Sequence, residues 1–134
     1  PTFDVLERFW RDFDQLAEES KLQFLAARAL LSFDLKAGVQ PRRSLRVKRV
    51  VSHPGIWEMS WAADGRATFE YGDEVIPGQP HIIWRRIGTH DTFATRSAGT
   101  FNALLLQTAP PATLVRMHAA HPDRNIRLLF AYWL

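Results

Sequence analysis

A chain of 134 residues, 46% hydrophobic and 23% charged, has the make-up of one small globular domain rather than a disordered or fibrous segment. It holds no cysteine, which excludes disulfides, thiolate nucleophiles and cysteine-based zinc sites and removes any demand for an oxidising compartment. The net charge of +3 is unevenly spread: residues 1–38 carry five Lys/Arg against seven acids, and residues 39–134 carry twelve against seven. A downstream basic surplus favours a polyanionic partner, because cations that replace counterions on phosphates gain free energy; a solvated basic face has the same composition.

The N-terminal stretch PTFDVLERFWRDFDQLAEES is acidic early and lacks a basic-then-apolar secretion pattern, and no apolar run is long enough to span a bilayer. A soluble, cytoplasmic protein without a membrane partner is expected. Residues 3–17 place Leu6, Phe9, Phe13 and Leu16 on one helical stripe, with Thr2 or Asp4 as the cap. Ser20 is a cap for a second helix in which Phe24, Ala27, Leu31 and Leu35 recur until Gly38 stops it. The two helices are expected to form an antiparallel hairpin with their aromatics in the core.

Beyond Gly38 the period changes to two. Leu45, Val47 and Arg49 share one face of a strand, and Arg46 and Lys48 the other. After His53-Pro54-Gly55, Ile56, Glu58 and Ser60 alternate with Trp57, Met59 and Trp61; the Asp64-Gly65 pair then marks a hairpin into RATFEYG, and HIIWRRIG reads as a further strand. Four strands on short loops imply an α+β fold, with a helical hairpin on one face of a mainly antiparallel four-stranded sheet. Residues 1–96 form this domain. Residues 97–134 form a C-terminal extension that packs on the same domain and offers a surface for homo-oligomer formation.

Arg66 follows a tight turn, while Arg85, Arg86 and His90 lie at the end of a later strand. If those ends converge, guanidinium forks can hold a phosphate and the imidazole can carry a proton near neutral pH. Strict alternation puts Arg85 and Arg86 on opposite faces, so one of them at most reaches the cleft. His53 and His81 sit beside prolines and read as ordinary surface residues. His118 and His121 lack a third ligand, so no metal is expected. Trp57, Trp61 and Trp84 read as sheet packing.

The succession of a helical hairpin, LRVKRV, GIWEMSW, GRATFEY and HIIWRRIGTHDTF resembles the RelE/ParE family of bacterial toxin–antitoxin toxins, over about Phe3 to Phe93. The resemblance implies a ribosome-dependent endoribonuclease that cleaves messenger RNA without metal or cofactor. The ribose 2′-hydroxyl attacks the adjacent phosphate, leaving a 2′,3′-cyclic phosphate, or a 3′-phosphate derived from it, and a 5′-hydroxyl. On that reading Arg66 stabilises the transition state and His90 protonates the leaving oxygen. Arg46, Lys48, Arg49, Arg85, Arg86 and Phe93 bind RNA, and a cognate antitoxin occludes the basic cleft. The chain departs from some RelE-type enzymes in having Glu58 and Ser60 in place of strand lysines, and Phe93 in place of a terminal tyrosine. Glu58 is either the general base or an ion-pair partner of Arg66 or Lys48. The same resemblance leaves open a ParE-like toxin that inhibits gyrase, or a non-enzymatic toxin relic acting as a binding module.

Overall fold

A computed structural model describes residues 1–89, 114–115 and 127. Within them the chain runs through β1 (Thr2–Leu6), α1 (Glu7–Asp14), α2 (Glu18–Ala37), a 3-10 turn (Arg43–Leu45), β2 (Lys48–Arg49), β3 (Trp57–Ser60), β4 (Gly65–Gly72), β5 (His81–Thr89) and β6 (Leu114–Val115). The strands form one sheet in the order β2-β3-β4-β5-β1-β6. The four strands read from the sequence are present as neighbours, and all their pairings are antiparallel. Two helices on a largely antiparallel sheet make the expected α+β fold, and the division at residue 96 falls outside the described residues.

The N-terminus departs from the expectation of one helix over 3–17. Thr2–Leu6 is a strand that pairs in parallel with β5, Thr2 opposite His81 and Val5 opposite Trp84. Period two explains it: Phe3 and Val5 are buried while Thr2 and Asp4 point the other way. Thr2 and Asp4 are therefore not caps. Leu6 holds the cap position of α1 without a side-chain bond, and Asp4 instead binds His81, whose Nε2 lies 3.1 Å from its Oδ2. The Thr2 hydroxyl lies 2.7 Å from the other imidazole nitrogen, so His81 is a buried clamp between β1 and β5 rather than a surface residue.

Helix α2 begins at Glu18 with Ala17 in the cap position, so Ser20 lies within its first turn rather than at its cap. Its end is as read: Gly38 adopts φ 71°, and its N–H and that of Val39 close on Leu35 and Asp34, a left-handed cap that glycine adopts at no steric cost. Asp34 accepts from the Arg42 backbone N–H at 2.9 Å and from its guanidinium at 2.8 and 3.0 Å. These bonds hold the Asp34 carboxyl below the ordinary aspartate range and pin the loop that returns to the sheet.

Phe9 and Phe13 of α1, Phe24 of α2 and Trp84 and Phe69 of the sheet form one aromatic cluster, with ring centroids of Phe24–Trp84 and Phe69–Trp84 each 5.1 Å apart. Met59, Trp61 and Ile87 extend it. Each fully buried large side chain contributes about 1.5–3 kcal/mol relative to exposure. The three tryptophans therefore pack the sheet, as their alternation implies, with Trp57 partly buried against Phe69. Among the described residues no helix is long and apolar enough to cross a membrane.

Candidate functional site

The face of the sheet that carries Arg66 is set by strand register. Arg66 lies opposite Ser60 of β3 and Gly88 of β5, while Glu58 lies opposite Lys48 of β2 and Thr68 of β4. Residues two apart share a face, so Lys48, Glu58, Ser60, Arg66 and Thr68 lie together on it. The tight turn before β4 exists because Gly65 leaves room for Trp61: a Cβ there would stand 2.6 Å from the indole.

Arg66 is held by that turn. Its Nη1 donates to the carbonyls of Ala62, Ala63 and Gly65 at 3.1, 3.2 and 2.8 Å, and its Nε lies 3.7 Å from Glu58 Oε1. The two side chains keep 22% and 19% of their surface, enough for a bound group to reach them. Backbone carbonyls fix the guanidinium in place, which is the pre-organisation that stabilising a developing negative charge requires.

Arg46 joins Arg66 from another direction. Leu45 and Arg46 do not extend β2 as the alternation implied. Leu45 ends the 3-10 turn and is buried, and Arg46 takes the left-handed conformation at φ 46°, its N–H closing on Arg43. Left-handed backbone in a residue with a Cβ costs about 1–2 kcal/mol. Arg46 and Arg66 line one groove of about 640 Å³ with Ser44 and Ser60, and Gln23, Ala26 and Leu30 of α2 form its opposite wall. The volume lies within the range of ligand clefts.

The other basic residues separate. Lys48 is exposed beside Glu58. Arg49 lies opposite Trp57 with its guanidinium carbon 5.5 Å from the ring centre, a cation–π contact. Arg85 and Arg86, both expected at a phosphate, are buried. Arg86 Nε donates to Asp12 of α1 at 2.6 Å. Arg85 Nε is 3.7 Å from Glu70, and burial lowers its pKa with partial compensation from that carboxylate. Thr68 pairs with Arg86 and Phe69 with Trp84, leaving Arg85 as the extra residue of a bulge, and the two arginines take different partners, as their expected separation implies. Neither lines the Arg46–Arg66 groove. His90 and Phe93 lie outside the described residues, as do His118 and His121. Among the described residues no three His, Cys, Asp or Glu side chains gather as a metal site.

The sequence reading passed over Gln23, Ser44 and Asp12. Asp12 had a signal: it sits beside Phe13 on the buried stripe of α1, where a carboxylate needs an internal cation. Gln23 and Ser44 had none, since a groove between a helix and a turn has no local period.

No family model and no curated protein matches the sequence. Solved structures do. The Escherichia coli DinJ-YafQ toxin-antitoxin complex contains a chain with 13% identity and a TM-score of 0.50, over 67% of this chain and 92% of that one. A copper-bound mutant toxin from Helicobacter pylori gives 15% identity and 0.49, over 68% and 96%. The RelB-RelE antitoxin-toxin complex from Methanococcus jannaschii gives 11% and 0.46, over 69% and 96%. The described elements thus share the fold of the chain in the DinJ-YafQ toxin-antitoxin complex, two helices on a largely antiparallel sheet as the sequence led one to expect.

Proposed function

We propose that the chain is the toxin of a toxin–antitoxin pair and cleaves messenger RNA in the ribosome by 2′-hydroxyl attack on the adjacent phosphate. The single observation that carries this reading is Arg66 tied to three carbonyls with Glu58 at 3.7 Å, on the fold shared with the toxin–antitoxin structure. Glu58 takes the proton of the 2′-hydroxyl, and the phosphate oxygens that gain charge face the Arg66 guanidinium. The bond to the 5′-oxygen breaks and His90 supplies that oxygen with a proton, leaving a 2′,3′-cyclic phosphate and a 5′-hydroxyl. Arg46 and Lys48 hold flanking phosphates. The reaction needs no metal, the cell compartment is the cytoplasm, and an antitoxin restrains the activity by covering the groove.

Incubation with translating ribosomes, followed by mapping of message ends, tests the reading. Cuts should appear with chelator present, and Arg66→Ala should slow them by about 10²–10³, the loss expected for one transition-state donor. Intact messages, or cuts indifferent to Arg66, overturn it. A second reading has one observation in its favour: Glu58 partly neutralises Arg66, as in a pair serving only structure. A gyrase-directed toxin then follows, and gyrase-dependent DNA breaks with messages intact select it.

A further inference from the structure

Arg28, Ser32 and Lys36 stand four residues apart on α2, so they form one row along the helix, about 6 Å from each to the next. The row lines a cavity of about 530 Å³ whose other wall is the loop at Gly78, Gln79 and Pro80. Helical spacing puts it on the opposite side of α2 from the Arg46–Arg66 groove, with which it shares no lining residue. The loop is held in place without a ligand. Glu74 accepts from the Gly78 N–H at 3.0 Å, the Gln79 N–H donates to the Ile76 carbonyl at 3.0 Å, and the Pro80 carbonyl accepts from the Thr2 N–H at 3.0 Å.

The charge lining the cavity is positive. Arg28 is 2% exposed, and burial brings it down to about 10, so it keeps its charge at neutral pH. A charge in low-dielectric surroundings acts on an anion more strongly than one in water. Lys36 is exposed at the other end of the row. Between them the buried Ser32 hydroxyl has no hydrogen-bond partner among the described residues, and a turn about its χ1 offers it to a ligand oxygen. Among the described residues no carboxylate lines the cavity; Asp34, on the same helix, is bound to Arg42. The remaining walls are of another kind. Phe33, 68% exposed, joins Leu35 and Pro80 as apolar surface, and Gln79 adds an amide. Inorganic phosphate would satisfy the cations and the hydroxyl but leave the ring and the amide unused. A flat ring with hydrogen-bonding edges, joined to a phosphate, uses all of them.

We propose that this cavity binds a free nucleoside monophosphate, with its phosphate along the Arg28–Ser32–Lys36 row and its base stacked on Phe33, edge toward Gln79. The volume lies within the range of small-ligand sites, about 300–1,000 Å³. The site leaves the Arg46–Arg66 groove open and does not depend on the nuclease reading.

Isothermal titration calorimetry of the full chain with AMP and with adenosine tests it. AMP should bind about tenfold more tightly than adenosine, or better. Phe33→Ser should weaken AMP about tenfold, the loss expected for one base–aromatic stack. Lys36→Glu should weaken AMP about tenfold or more and leave the weaker binding of adenosine unchanged. Arg66→Ala should leave the AMP affinity as it was. Phe33 and Lys36 are both exposed, and circular dichroism melts check that their variants fold. Absence of binding at millimolar AMP, AMP binding that neither Phe33→Ser nor Lys36→Glu weakens, or a loss caused by Arg66→Ala overturns the proposal. So does a short oligoribonucleotide whose binding needs Phe33 and Lys36 when AMP does not bind, since the cavity then belongs to the path of an RNA strand.

Discussion

Removing the carboxylate of Asp12 tests whether the contact between α1 and β5 is held by charge. Asp12 Oδ2 accepts from Arg86 Nε at 2.6 Å, and Oδ1 accepts from Arg86 Nη2 at 3.3 Å. The Ile87 backbone N–H points to the same carboxylate at 3.5 Å. Arg86 is 1% exposed, so Asp12→Ala leaves a guanidinium in the interior without its nearest counter-charge. Breaking a buried pair from one side costs about 3–5 kcal/mol, out of a total stability of roughly 5–15 kcal/mol, and should lower the melting temperature by roughly 10–20 °C. Arg86→Met on its own leaves the Asp12 carboxylate with Arg8, whose Nε lies 3.7 Å away, and with the Ile87 N–H, and should cost less than Asp12→Ala. Combining the two removes both charges, and the double variant should lie within about 1 kcal/mol of the unmodified chain, because the desolvation of the pair goes with its attraction. Urea titrations followed by tryptophan fluorescence read all four states, since Trp84 is buried in the same strand. A loss below about 1 kcal/mol for Asp12→Ala, or strict additivity in the double variant, refutes the reasoning.

Three further substitutions report on the site and its supports. Arg46→Gly should raise stability by about 1 kcal/mol by relieving the left-handed backbone at φ 46°, while RNA binding weakens and the slope of affinity against salt falls by about one; a clear loss of stability in urea counts against the strain. Asp34→Asn should flatten the acid limb of the stability curve. The Asp34 carboxyl is lowered in the folded state by Arg42, so its contribution is complete above the ordinary aspartate value of about 4 and is lost as pH falls through the lower folded value. An unchanged acid limb in pH-dependent urea titrations refutes it. Gly65→Ala should cost about 1–3 kcal/mol, because the new Cβ meets the Trp61 indole at 2.6 Å; a neutral result shows that the indole can yield.

Much of the sheet was legible because its strands keep their period. Ile56–Trp61 alternates cleanly, Asp64-Gly65 marks a hairpin, and the structure places Glu58 and Arg66 on neighbouring strands as that reading implies. The N-terminus was not legible for a physical reason. Leu6 lies one helical turn from Phe9, so the pattern of three and four continues into TFDVL, and only the distant partner strand decides for period two. Arg85 and Arg86 were not legible as buried residues because a basic dipeptide looks the same whether the carboxylates of Glu70 and Asp12 or phosphates receive it. Arg46 was read on a strand; the buried Leu45 before it turned the chain left-handed and brought the side chain to the groove by another route.

The parallel pairing of β1 with β5 has a consequence in time. Thr2 and His81 touch across 79 residues of chain, and a parallel neighbour cannot be reached by a hairpin; every element from α1 to β4 forms the crossover. At ordinary rates of synthesis, β1 waits roughly 4–16 s for its partner to be made. Until then Phe3 and Val5 have no sheet to cover them, while β3 and β4 can already pair locally. Closure over such a distance is the slow, entropically costly kind, so the opening strand of this sequence is among the last pieces to settle, and any delay at β5 leaves an apolar strand open to other chains.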